Sequence, residues 1–100
     1  MIVVNAIIES TESDIAAMKE AIREMETHSR REAGCNDYTF SVETSNPNII
    51  RVTEQWENMA ALAAHFAEPH MAVFQQAMAA NPQKSVNAKF YEATEVSGPG

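Results

Sequence analysis

Four residues stand out from their surroundings as possible bearers of chemistry: Asn5, Trp56, His65 and His70. Asn5 sits in the middle of the apolar run Ile2-Val3-Val4-Asn5-Ala6-Ile7-Ile8. A buried amide must find a hydrogen-bond partner, so Asn5 belongs either to a polar network or to the wall of a cavity, where it could orient a ligand oxygen. Trp56, the single tryptophan, closes a strand-like run and reads either as a core anchor or as an apolar cavity wall. His65 and His70 lie five apart with Pro69 between them, whereas a metal-binding pair on one helix face would lie three or four apart. A metal site is therefore not expected, and the chemistry open to these rings is acid–base. Pro69 suits the first position of a helix, which puts His70 in a first turn and on the row His70, Phe74, Ala77. There it is either satisfied by backbone groups or free to accept a proton.

Much else is missing. The three glycines, Gly34, Gly98 and Gly100, cannot make a phosphate-cradling loop or a dinucleotide fingerprint, and neither HExxH nor GxSxG occurs. Kinases, GTPases, nicotinamide dehydrogenases and the commonest hydrolases are poor readings, and no cofactor is expected. The single cysteine, Cys35, makes no internal disulfide and reads as a small apolar residue. Fourteen acidic against seven basic residues give a net charge of −7, which repels phosphate backbones and anionic lipid. Nucleic acid and membrane are thus not expected as partners. With no spanning apolar stretch and no signal-peptide pattern, a cytoplasmic location is the expectation.

The elements that must position these residues can be read from periodicity. Residues 2–8 form a strand apolar on both faces, Val4, Ala6, Ile8 against Val3, Asn5, Ile7. Thr11 and Asp14 mark a helix start, and Ile15, Met18, Ile22 and Met25 carry a helix to about Ala33, with Gly34 as left-handed terminator. Cys35 to Thr44 alternates strictly, Ser45-Asn46-Pro47-Asn48 supplies a turn, and Ile49 to Trp56 returns. Asn58 caps a short helix whose buried stripe is expected to be Met59, Leu62, Ala63 and Phe66. A second helix runs from Pro69 to about Ala80, and a last strand from Ser85 to Val96. The order β-α-β-β-α-α-β predicts an α+β, ferredoxin-like domain over residues 1–96: a four-stranded antiparallel sheet with helices on one face. Residues 97–100 form a flexible tail. One hundred residues make one small domain, and the uncovered sheet face predicts a two-fold homodimer.

With those elements in place, three stretches resemble the antibiotic biosynthesis monooxygenase family, most closely its bacterial quinol monooxygenase members. They are Arg31-Glu32-Ala33-Gly34-Cys35 with Tyr38, Glu54-Gln55-Trp56-Glu57, and Leu62-Ala63-Ala64-His65-Phe66-Ala67-Glu68-Pro69-His70-Met71. The resemblance runs from Met1 to about Val96 and implies a dimeric α+β barrel with a ligand cavity between each sheet and its helices. It also implies cofactor-independent oxidation of a small quinol or phenol by molecular oxygen. Trp56 matches the cavity tryptophan of the oxygenase and haem-degrading branches, and Asn5 the strand asparagine of the haem degraders. The chain departs from the polyketide oxygenases at Val52, where they carry asparagine, and from the haem degraders near Gln75, where they carry the iron-ligating histidine. In this reading His70 or His65 takes the substrate proton, Asn5 orients an oxygen, Trp56 and Phe66 wall the cavity, and Tyr38 is a further wall or hydroxyl contact. Asn5, Trp56 and His70 are expected to converge on one pocket. The competing readings are a non-catalytic small-ligand binder and an isomerase of a phosphorylated signalling sugar.

Overall fold

A computed structural model describes residues 1–100. In chain order the elements are β1 (Ile2–Glu9), α1 (Glu12–Ala17), α2 (Lys19–Ser29), β2 (Cys35–Glu43), β3 (Asn46–Trp56), α3 (Met59–Phe66), α4 (Pro69–Ala80) and β4 (Ser85–Glu92). The strands form one antiparallel sheet in the order β2-β3-β1-β4, so the α+β, ferredoxin-like plan holds. None of the helices is long and apolar enough to cross a membrane.

The period of two in β1 sorts its residues. Ile2, Val4 and Ile8 are buried beneath the helices, while Asn5 and Ile7 are exposed on the other side. The core lies between sheet and helices and joins Ile2, Val4, Met18, Met25, Tyr38, Trp56, Leu62, Met71 and Phe74. Thr11 Oγ1 accepts from the Asp14 N–H, and the Asn58 side chain accepts from the Ala61 N–H, as helix caps should.

Several boundaries differ from expectation, each for a local reason. The first helix bends at Met18, whose backbone (φ −90°, ψ 0°) leaves the ladder connected through Met18 N–H to Asp14 C=O and Ile22 N–H to Met18 C=O. It ends at Ser29, short of Ala33, where its last turn is tied to β2. Arg30 Nε donates to the Tyr38 carbonyl at 2.9 Å, and Glu26 Oε2 accepts from the Phe40 N–H at 2.8 Å. The hairpin turns at Thr44-Ser45, and Asn46-Pro47-Asn48 opens β3. Asn48 instead serves the start of α1, its carbonyl accepting from the Ser10 N–H and its side chain from the Glu12 N–H. On α3 the buried residues are Leu62 and His65, and Met59 and Phe66 are about half exposed, so the expected stripe is rotated. On α4 they are Met71 and Phe74, so Phe74 of the expected row is buried while His70 is only partly so. β4 stops at Glu92 and is exposed along its whole length.

Gly34 is the chain's one residue with positive φ (+82°), and a Cβ built there would lie 2.7 Å from the Ala61 Cβ. Its carbonyl accepts from the Glu57 N–H at 2.7 Å, fixing the entry to β2 against the start of α3. Gly34→Ala is expected to cost at least about 1–2 kcal/mol for the left-handed backbone alone, which urea unfolding will read. The open sheet face carries half-buried Val3, together with Ile7 at 37 % and Tyr91 at 47 % exposure. Sedimentation at micromolar concentration is expected to give a homodimer burying at least about 1,200 Å² in total; a monomer would refute it.

Candidate active site

Between the sheet and helices α3 and α4 lies a cavity of about 250 Å³ lined by Val4, Tyr38, Phe40, Glu54, Phe66, Met71, Phe74 and Phe90 among others. It is slightly smaller than the range of roughly 300–1,000 Å³ usual for drug-sized ligands. Its wall contains no lysine or arginine, and Glu54 is its only carboxyl. Val86, Ala88 and Phe90 close the side toward β4, and because no helix covers that strand, Val86 and Phe90 remain about half exposed.

Glu54 and Trp56 are two apart on β3 and share its covered face. Trp56 is fully buried, and its Nε1–H donates to Glu54 Oε1 at 2.9 Å. Burial raises the Glu54 carboxyl above its ordinary value of 4.5, opposed by the Trp56 hydrogen bond and by His65. The Tyr38 hydroxyl is likewise pushed up by burial, with Glu54 and Glu32 adding to the effect. The Cys35 thiol is raised to about 11, first by burial and then by Glu32 and Glu54. It is therefore a protonated, unreactive thiol, in line with its apolar reading.

The two histidines meet on one oxygen. Glu32 Oε2 lies 2.6 Å from His65 Nδ1 and 2.7 Å from His70 Nε2. The spacing that argues against a shared helix face is overcome by the break at Ala67-Glu68, which starts α4 afresh at Pro69 and turns His70 back toward His65. Two histidines and a carboxylate are zinc-type ligands by chemistry. These separations are nevertheless those of hydrogen bonds, shorter than the more than about 3 Å between ligands bound at roughly 2.0–2.1 Å to one ion. The His65 side chain is 1 % exposed, its ring packed against Trp56 (centroids 4.8 Å apart), Tyr38 (5.2 Å) and Phe66 (5.7 Å). Its second nitrogen, Nε2, is buried and has no partner. Ser10 Oγ and Ser29 Oγ share that condition, but a hydroxyl can rotate toward an acceptor and this ring cannot.

The placement of the expected site residues is thus mixed. Tyr38 and Phe66 line the cavity, Trp56 stands behind Glu54, and His65 packs on all three aromatic rings. His70 faces the other way, into an outer groove between α2 and α4 with Glu24, His28 and Glu68, and stacks on His28 at 5.5 Å. Asn5 lies on the opposite side of the sheet, paired across strands with Thr53 and Lys89 in a separate pocket of about 400 Å³ that also holds Arg51 and Tyr91. The expected convergence of Asn5, Trp56 and His70 therefore does not occur. Strand parity separates Asn5, since only Ile2, Val4, Ala6 and Ile8 point toward the helices, and it takes no part in this cavity. Two acidic residues were missed. Glu54 could have been found from its parity with Val52 and Trp56, which places a carboxylate on a buried strand face. Glu32 carries no such signal, because it lies in an irregular segment.

The raised carboxyl of Glu54 has a sign that can be tested. A carboxyl whose value is higher in the folded chain gives stability that is fully present below the unfolded value and lost as pH rises through the folded one. Glu54→Gln removes that loss while keeping an oxygen for the Trp56 N–H. Thermal melts are expected to show the variant more stable than the parent at pH 8, with the advantage fading as pH falls below the ordinary value of 4.5. A difference independent of pH would contradict it.

Comparison with known proteins supplies the lineage. The chain is 34 % identical to proteins named "Probable quinol monooxygenase YgiN" in Escherichia coli and Shigella flexneri, over 48 % of its own length. It spans about half of those relatives, 54 % of their length. A Deinococcus radiodurans structure that bears the antibiotic biosynthesis monooxygenase designation superposes with a TM-score of 0.89 at 23 % identity, covering 98 % of this chain and 97 % of that one. Rv0793 from Mycobacterium tuberculosis superposes with a TM-score of 0.84 at 18 % identity, covering 97 % of this chain and 98 % of that one. At such identities the two structures establish the fold alone. The sequence model of the antibiotic biosynthesis monooxygenase family matches residues 1–77, and the chain belongs to that family.

Proposed function

We propose that this protein is a cytoplasmic, homodimeric, cofactor-independent monooxygenase that oxidises a small quinol or phenol with molecular oxygen, its site carried by a domain spanning residues 1–96. The observation that carries the reading is an apolar cavity flanked by a buried imidazole whose free nitrogen has no partner. Two rings packed on it, Tyr38 and Phe66, also form the cavity wall. Family membership and the partial likeness to quinol monooxygenases support the same class.

The chemistry needs little from the protein. A neutral quinol enters the apolar cavity and gives its hydroxyl proton to the neighbouring His65, and the quinolate left behind is electron-rich enough to reduce oxygen itself. One oxygen atom enters the ring and the other leaves as water, every electron coming from the substrate, so that a quinol yields a hydroxyquinone. Phe66 and Tyr38 hold the ring, and Trp56 keeps the Glu54 carboxyl turned and hydrogen-bonded beside it. Asn5 has no part here. An isomerase of a phosphorylated sugar is disfavoured, because no lysine or arginine lines the cavity to meet a phosphate.

Oxygen uptake with a panel of reduced benzo- and naphthoquinones tests the proposal. Uptake is expected for at least one of them, and His65→Ala is expected to lower turnover at least about 100-fold. Saturable binding without uptake would make the protein a non-catalytic binder, and full turnover by His65→Ala would leave that ring a packing residue.

A further inference from the structure

We propose that Glu32 is the positioning residue of this site: it fixes His65 with its proton on Nδ1 and its lone pair on Nε2, and His70 pins Glu32 in place. The inference rests on the monooxygenase reading for its kinetic consequence, but not for its structural one.

A carboxylate oxygen has only lone pairs to offer, so the ring nitrogens at 2.6 and 2.7 Å both donate to Glu32 Oε2. A proton on His65 Nδ1 leaves Nε2 as an acceptor. That nitrogen is the buried, unpartnered one, and its ring packs on Tyr38 and Phe66 of the cavity wall, so it is suited to accept from a hydroxyl donor carried in by a ligand. When Nε2 takes that proton, the ring becomes a cation already in contact with a carboxylate. This is the logic by which a buried acid serves a histidine base elsewhere, orienting it and stabilising its charged form.

The geometry also separates the roles of the two histidines. His70 spends Nε2 on Glu32 and stacks on His28 over the outer groove, so it offers the cavity nothing. Its effect is on Glu32, as a second donor to the same oxygen. The backbone of Glu32 is held on both sides, its N–H donating to the Ser29 carbonyl at 3.0 Å and its carbonyl accepting from the Cys35 N–H at 3.1 Å. A short segment between the end of α2 and Gly34 is thus built to aim one carboxylate at two rings on different helices. His70 and His65 therefore have unequal weight in catalysis, with His65 as base and His70 two steps removed.

Long-range proton–nitrogen correlation spectra of uniformly ¹⁵N-labelled protein read the tautomer of each ring without any substrate. The parent is expected to show His65 as a single species protonated at Nδ1, and Glu32→Ala a mixture. In oxygen-uptake assays Glu32→Ala is expected to lower kcat at least about 100-fold with little change in KM, since Glu32 does not reach the cavity, and His70→Ala to lower it by only about 10-fold. Should Glu32→Ala fail to fold by circular dichroism, Glu32→Asp, one methylene short of both rings, gives the same readout. A His65 that stays in one tautomer when Glu32 is replaced would overturn the proposal, active enzyme or not. So would a Glu54→Gln variant that loses turnover while His65→Ala keeps it, because the base would then be Glu54. If the parent consumes no oxygen with any quinol, the monooxygenase reading fails by itself and the tautomer spectra still decide the role of Glu32.

Discussion

One carboxylate oxygen shared by two imidazoles organises the helical side of this protein. Glu32 is 33 residues from His65 and 38 from His70, so its two hydrogen bonds close long loops and tie the segment after α2 to both α3 and α4. Hydrogen bonds with an ionised partner contribute about 1.5–3 kcal/mol each when buried, several times the value of an exposed ion pair. They also set the rotation of α3. With His65 drawn inward beside Leu62, Met59 and Phe66 turn away from the core, and Phe66 comes to the cavity wall.

The interior that results is hostile to negative charge. Burial raises Glu54, Tyr38 and Cys35 alike, so each is held toward its protonated form, and no lysine or arginine compensates within the cavity. An anion brought from solvent would enter against this gradient. The cavity therefore favours neutral, apolar molecules over those that arrive as anions.

Much of this was legible from the sequence, because the signals are local and periodic. The alternation in β1 and β2, the caps at Thr11 and Asn58, the proline opening α4 and the left-handed Gly34 all follow from neighbouring residues, and with them the α+β plan. Tyr38, Phe66 and Trp56 fell near the cavity for the same reason. Asn5 did not, although the two alternating sets of β1 were in view, because alternation does not say which set faces the helices. The meeting of His65 and His70 at Glu32 was not legible either. It depends on an irregular turn and on contacts spanning most of the chain. The rotated stripe of α3 has a related origin, a polar side chain drawn into the core by a partner that no helical period reveals.

The sheet is closed by the pairing of β1 with β4, in which Ile2 stands opposite Glu92 and Glu9 opposite Ser85. Joining segments so far apart is the slowest kind of pairing for a folding chain, since the entropy of closing the loop is lost before any contact is gained. During synthesis β1 can pair with β3 as soon as the hairpin emerges, whereas its other edge stays bare until residues 85–92 follow. Until β4 docks, β1 is the edge strand of the sheet, paired with β3 on one side and open to pairing with another chain on the other. The strand that pairs with β1 also supplies Val86, Ala88 and Phe90 to the cavity, so the cover of β1 and the last wall of the pocket arise in the same step, while the sheet edge passes to β4.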